Sequence, residues 1–87
     1  MDRQQLNIRL AIALNEWDPF GVGEGSYDPE VADSVQAVHD LSRPEELASR
    51  LQAIYEFSFE KIIPFAKCLA MAIKLLQMKE EQDSCAL

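Results

Sequence analysis

Catalytic raw material is scarce in this chain. Its 87 residues include one histidine (His39), one tryptophan, two cysteines and three glycines. A lone histidine cannot supply the His-x-x-x-His pair that a zinc-binding helix uses. Serine–histidine–acid chemistry would rest on that same ring, and no nucleophile-elbow sequence accompanies it. Cys68 and Cys85 follow neither a metal-binding nor a redox spacing, a pattern that fits a reducing compartment. Long uncharged apolar runs are missing too. The run from Ile62 to Met78 carries Lys67 and Lys74 and is too short to span a bilayer. Residues 1–14 bear charges and amides in place of a signal-peptide core, so the expected location is cytoplasmic.

Basic residues are nearly absent from the middle of the chain. From Glu16 to Glu46 there are nine acids and one base, Arg43, whereas the remainder holds six acids and seven bases. The net charge is −7. So one-sided an acidity repels phosphate backbones and anionic lipid, which argues against nucleic-acid and membrane binding. Its ordinary reading is a solvated surface with acids at helix N-termini. Its sharper reading is a docking face for a basic protein partner.

Apolar side chains recur at helical spacing in four segments, and no segment alternates with period two. Leu6, Leu10, Ala13, Leu14 and Trp17 mark one face of the first, with Asp2 placed to cap it; Ile8 and Ile12 lie opposite. The second opens at Asp28-Pro29-Glu30, read as an N-cap followed by proline in the first turn, and turns Val31, Val35 and Val38 inward. The third follows Ser42-Arg43-Pro44-Glu45, read as a capping box, and lines up Leu47, Leu51, Ile54 and Tyr55. Pro64 forces a break before the fourth, which runs to about Lys79. The expected fold is therefore all-α: a compact bundle of about four helices with a Gly-rich loop between helices 1 and 2. Residues 1–79 form a single domain and 80–87 a flexible tail.

That loop, Asp18-Pro19-Phe20-Gly21-Val22-Gly23-Glu24-Gly25-Ser26-Tyr27, opens with type I turn preferences. It is no phosphate cradle, because a helix precedes it and it holds no lysine. It is no EF-hand either, because Phe20, Val22 and Pro29 stand where oxygen ligands belong, and only a looser set of Asp18, Glu24 and Asp28 remains. Its glycines instead supply positive φ. Trp17, Phe20 and Tyr27 frame it, either as a plug over one end of the bundle or, with Asp18, Glu24 and Asp28 beside them, as interface anchors. Asp33 and Asp40 extend that acidic surface along the second helix. On the fourth helix, Phe65, Leu69, Met71 and Ile73 belong to an apolar face wide enough for self-association.

Three stretches carry a family resemblance: Trp17-Asp18-Pro19-Phe20-Gly21 with Tyr27-Asp28, then Leu51 through Phe59 (LQAIYEFSF), then Ile63-Pro64 with Cys68 and Leu75-Leu76. Together they resemble domain-of-unknown-function family 1871, short proteins mainly of Bacillus-type bacteria, over most of the chain to Lys79. The resemblance implies an all-helical fold and a bacterial cytosolic setting. It implies no activity, and it transfers no catalytic, metal or cofactor residue. The expected function is a non-enzymatic protein–protein interaction module docking a basic partner, as immunity and inhibitor proteins do, with no cofactor. The alternative is a self-associating homodimer. A catalyst built on His39 and Cys68 is the third reading.

Overall fold

The computed structural model describes residues 3–23 and 25–85. Four helices follow in order: α1 (Arg3–Trp17), α2 (Asp28–Asp40), α3 (Pro44–Phe59) and α4 (Phe65–Cys85). Among the described residues there is no strand. The expected all-α bundle of four helices is what forms. Asp2 and Glu24 lie outside the described residues.

Each helix buries most of the stripe its spacing marks out, with Phe65 and Ile73 of α4 left exposed. Leu6, Leu10, Ala13 and Leu14 of α1 meet Val31, Ala37 and Val38 of α2 and Leu47, Leu51 and Tyr55 of α3 in one core. Cys68, Met71, Ala72, Leu75 and Leu76 of α4 complete it. α1 packs between α2 and α4, and so does α3. Among the described residues α1 and α3 share no backbone contact, so they form opposite flanks of the bundle. The outward sides of both are therefore left bare.

Polar bonds fix the seams. Lys79 Nζ donates to the Val38 carbonyl at 2.9 Å, placing a cation at the negative end of α2 and tying α4 to it. His39 Nε2 meets Asn7 Oδ1 at 2.6 Å between α2 and α1. Gln52 Nε2 donates to the Ile63 carbonyl at 2.8 Å, which pins the α3–α4 connection while Ile63 enters the core. α3 itself stops at Glu60, whose φ of 56° is left-handed and whose N–H bonds the Glu56 carbonyl at 2.8 Å. Pro64 then supplies the carbonyl that receives the Lys67 and Cys68 N–H groups.

The helix starts differ from those expected. Tyr27, not Asp28, caps α2: its carbonyl receives the Val31 N–H at 2.7 Å, and no side-chain cap is made. Tyr27 is anchored in the core, so the chain turns helical behind it and Asp28 points to solvent in the first turn. At α3 the cap is Arg43, not Ser42. Pro44 holds the residue before it extended (φ −102°, ψ 127°), and that geometry starts the helix without a capping box. α4 continues to Cys85, so residues 80–85 of the expected tail are helical.

Among the described residues two buried polar atoms lack a hydrogen-bond partner, Asn15 Oδ1 and the Tyr55 hydroxyl. Tyr55 is fully enclosed and its hydroxyl has no hydrogen bond. Burial pushes the phenol far above the ordinary tyrosine range; Ser34 lies near enough to oppose part of that shift, without hydrogen-bond geometry. The Ser34 hydroxyl donates to the Glu30 carbonyl at 2.6 Å instead. Removing an unpaired buried hydroxyl sacrifices no bond. Urea unfolding of Tyr55→Phe should therefore show unchanged stability or a gain of up to about 1 kcal/mol. Leu51→Ala should lose roughly 2–5 kcal/mol through the cavity it opens. A Tyr55→Phe loss as large as that of Leu51→Ala would contradict this account.

Candidate functional site: the aromatic loop and the outer faces of α2, α3 and α4

The α1–α2 loop folds around one carboxylate. Asp18 sits at φ 38°, a left-handed conformation that aspartate tolerates better than most residues. Its Oδ1 accepts the Val22 N–H at 2.9 Å and the Tyr27 hydroxyl at 2.6 Å, and its Oδ2 accepts the Gly23 N–H at 3.1 Å. The Tyr27 oxygen in turn accepts the Phe20 N–H at 3.1 Å. The Gly21 N–H closes the turn on the Asp18 carbonyl at 3.1 Å, with φ at +66°, the conformation its sequence position called for.

These bonds set the electrostatics. The Tyr27 hydroxyl, ahead of the backbone N–H groups, holds the Asp18 carboxyl below its ordinary value, and partial burial opposes the shift. Burial first, then the bond to Asp18, pushes the Tyr27 phenol above its ordinary value. A short bond from a neutral phenol to a carboxylate is charge-assisted and strong.

Aromatic rings seal the loop to the bundle. Trp17 meets Tyr55 edge-on, with centroids 5.4 Å apart and planes at 78°. Tyr27 lies 5.6 Å from Tyr55 and 5.3 Å from Phe59, and Phe20 lies 4.9 Å from Phe59. Such tilted and edge-on pairs are the arrangements that ring quadrupoles favour. Trp17, Asp18, Phe20 and Tyr27 are thus brought together, and Tyr27 is wholly buried within the fold.

The other acidic candidates face outward. Asp28, Asp33 and Asp40 are exposed. Asp33, Gln36 and Asp40 follow one stripe of α2, along which Gln36 Nε2 donates to Asp40 Oδ1 at 3.1 Å. Glu24, named with them from the sequence, is outside the described residues.

On α4 the four self-association candidates separate. Phe65 and Ile73 are 40% and 42% exposed, and Leu69 between them is half-buried. Met71 is buried in the core. At about 100° per residue, Met71 points roughly 200° away from Leu69, so it cannot share the outward stripe. His39 and Cys68 each have a contact of their own: Asn7 for the ring, and the Ile63 carbonyl at 4.0 Å from the thiol. Burial pushes the Cys68 thiol up, which keeps it protonated and a poor nucleophile. Among the described residues no group of three or more His, Cys, Asp or Glu side chains is gathered to hold a metal ion. Among them, too, no helix is long and apolar enough to cross a membrane.

One surface escaped the sequence reading. Phe57 on the outer side of α3 is 90% exposed. It shares that side with Ala53, Glu56 and Glu60, which line a depression of about 500 Å³. A second depression of about 500 Å³ continues from Ala53 past Arg50 and Ser49 to Glu46, Glu45 and Leu41. The signal was present: Glu46, Ser49, Ala53, Phe57 and Glu60 repeat at helical spacing opposite the buried stripe, with a phenylalanine where a polar residue is the norm.

The comparisons with known proteins agree with this fold. The family described as "Domain of unknown function (DUF1871)" matches residues 9–86. The chain is 46% identical over 72 residues to the uncharacterized protein YugE of Bacillus subtilis (strain 168), covering 83% of each. It is similar to a crystal structure from Bacillus stearothermophilus with a TM-score of 0.89 and 46% identity, covering 91% of this chain and 98% of that one.

The loop bonds make stability depend on pH in a definite direction. Asp18 has a lowered value in the folded chain and an ordinary one when unfolded. Its stabilisation is therefore whole above about pH 4 and drains away as pH falls through the lowered folded value. Thermal unfolding of Asp18→Asn should begin well below that of the parent at pH 7, and the gap should close on acidification below about pH 4. A gap of constant size from neutral to acid pH would show that the carboxylate charge contributes nothing.

Proposed function

The chain belongs to the DUF1871 family, and we propose that it is a non-enzymatic protein–protein interaction module that docks a basic partner. The observation carrying this reading is where the charge lies. α2 exposes three acids, its fourth, Glu30, being buried, and has no lysine or arginine; α3 holds three acids and one arginine. Asp28, Asp33, Asp40, Glu45 and Glu46 are all exposed along these two adjacent helices. The one ion pair among them, Arg43 with Glu46 at 3.5 Å, is a solvent-exposed i,i+3 contact that neutralises little. A surface of one sign speeds encounter with a partner of the other and discourages like-charged competitors. An inhibitor or immunity protein facing a basic enzyme would use such a surface in this way.

A second reading draws on α4. Phe65 and Ile73, each about two-fifths exposed and flanking Leu69, give a homodimer an apolar seam. Sedimentation at tens of micromolar, the order of magnitude at which a modest interface assembles, tests it; a pure monomer there removes it.

The docking reading is tested with a partner recovered by affinity purification from the cells that make this protein, then purified and titrated. Binding should weaken severalfold as salt shortens the reach of the charges. The double variant Asp33→Lys, Asp40→Lys should weaken it by at least about tenfold, as reversing charges opposite a basic patch does. A complex indifferent to both salt and charge reversal would end the proposal.

A further inference from the structure

An exposed phenylalanine needs a reason when it is as bare as Phe57. Nine-tenths of it faces water, more than any other large apolar side chain described. It does not stand alone. Ala53, one turn before it, presents only a methyl group, and the two depressions along α3 meet there. A small residue between a protruding ring and a shallow trough lets another backbone approach closely. The rim is acidic: Glu45 and Glu46 at one end, Glu56 and Glu60 at the other, with Arg50 as the one base lining either depression.

We infer that the outer face of α3 is a groove for a basic amphipathic helix of a protein partner, with Phe57 as its apolar anchor. The inference rests on the docking function proposed above and adds to its acidic α2 stripe a separate helix-binding groove on α3, which a short peptide occupies alone. From Glu45 to Glu60 the face runs about 22 Å at 1.5 Å per residue, the length of a four-turn helix. An apolar stripe at i, i+3/i+4 and i+7 would lie over Ala53 and against Phe57, and flanking lysines or arginines would reach the glutamates. Charge decides among occupants. A second copy of this chain would set like-charged rims against each other, and an anionic lipid or nucleic acid would meet the same repulsion. The other groove of note, lined by Arg9, Ile12, Glu16, Lys74 and Met78 between α1 and α4, mixes two bases with one acid and selects no occupant.

The test uses the full chain and a synthetic helix of about 15 residues with a leucine stripe flanked by lysines, against a twin in which glutamate replaces each lysine. NMR titration should show the lysine peptide shifting amide signals from Glu45 to Glu60, and the glutamate peptide shifting none. Phe57→Ala should weaken the lysine peptide by about tenfold or more, as removal of a central aromatic anchor does. Because Phe57 is exposed, its melting temperature should stay that of the parent; a fall of several degrees would itself contradict the bare-surface geometry. Glu56→Lys with Glu60→Lys should abolish binding of the lysine peptide. Asp33→Lys with Asp40→Lys should leave it largely intact. If the lysine peptide binds but ignores Phe57→Ala and is lost on reversal at Asp33 and Asp40, the α3 site is wrong and the wider docking function stands. If both peptides bind alike, or neither binds, the α3 site falls; the recovered partner's salt response then decides the docking function separately. A concentration-dependent dimer that Phe57→Ala dissolves would make a second copy the occupant and overturn the inference.

Discussion

A single carboxylate organises the loop that helical periodicity cannot organise. Helices form wherever an apolar stripe finds a core, but the described residues of the loop between α1 and α2 have no helical ladder to satisfy their backbone. Asp18 takes two of their N–H groups and the Tyr27 hydroxyl, and that hydroxyl takes the N–H of Phe20. The consequence is not confined to the loop. Tyr27 is the cap of α2 and a fully buried core residue, so placing its ring also places the start of α2. Its neighbours Tyr55 and Phe59 belong to α3, and Trp17 ends α1. Three helices are thus registered through one hydrogen-bonded phenol and the rings around it. Pair energies of this kind are small singly, but the site couples a charge-assisted bond to several ring contacts that could not otherwise be made together.

What could be read from the sequence follows from which residues have one physical role. Leu6, Leu10 and Leu14, or Leu47 and Leu51, are apolar at fixed spacing and serve only burial, so the stripes and the four helices they imply were legible. Pro64 was legible as a break for the same reason, since a proline offers no N–H to a helix interior. Residues with competing roles misled. Asp28 and Ser42 are good caps in isolation, but a buried tyrosine and a proline-restrained arginine set the helix starts instead. Met71 joined its α4 neighbours by chemistry and leaves them by angle. Among the partner candidates, Asp18, Trp17, Phe20 and Tyr27 fit both plug and anchor by sequence alone. The hydrogen bonds and ring contacts that bind these four to the fold depend on tertiary approach, which no spacing rule encodes. Phe57 was missed because attention to the dominant stripe of α3 treats the opposite side as solvent.

The division of labour across α3 ties stability to function. Its inner side, Leu47, Leu51 and Tyr55, is fully buried and contributes to the core. Its outer side contributes almost nothing to folding: the acids there repel one another, Phe57 covers nothing, and the Arg43–Glu46 contact is exposed and weak. A helix selected only to support the bundle would carry balanced i,i+4 pairs on such a face, because those add stability while like charges subtract it. The imbalance is relieved when cations are brought to the face, and relief of self-repulsion adds to whatever the direct contacts supply. The same charges that make the isolated bundle slightly less stable thus favour its complex with a basic surface. Partner binding and thermal stability should be linked through them, in proportion to partner concentration over its dissociation constant.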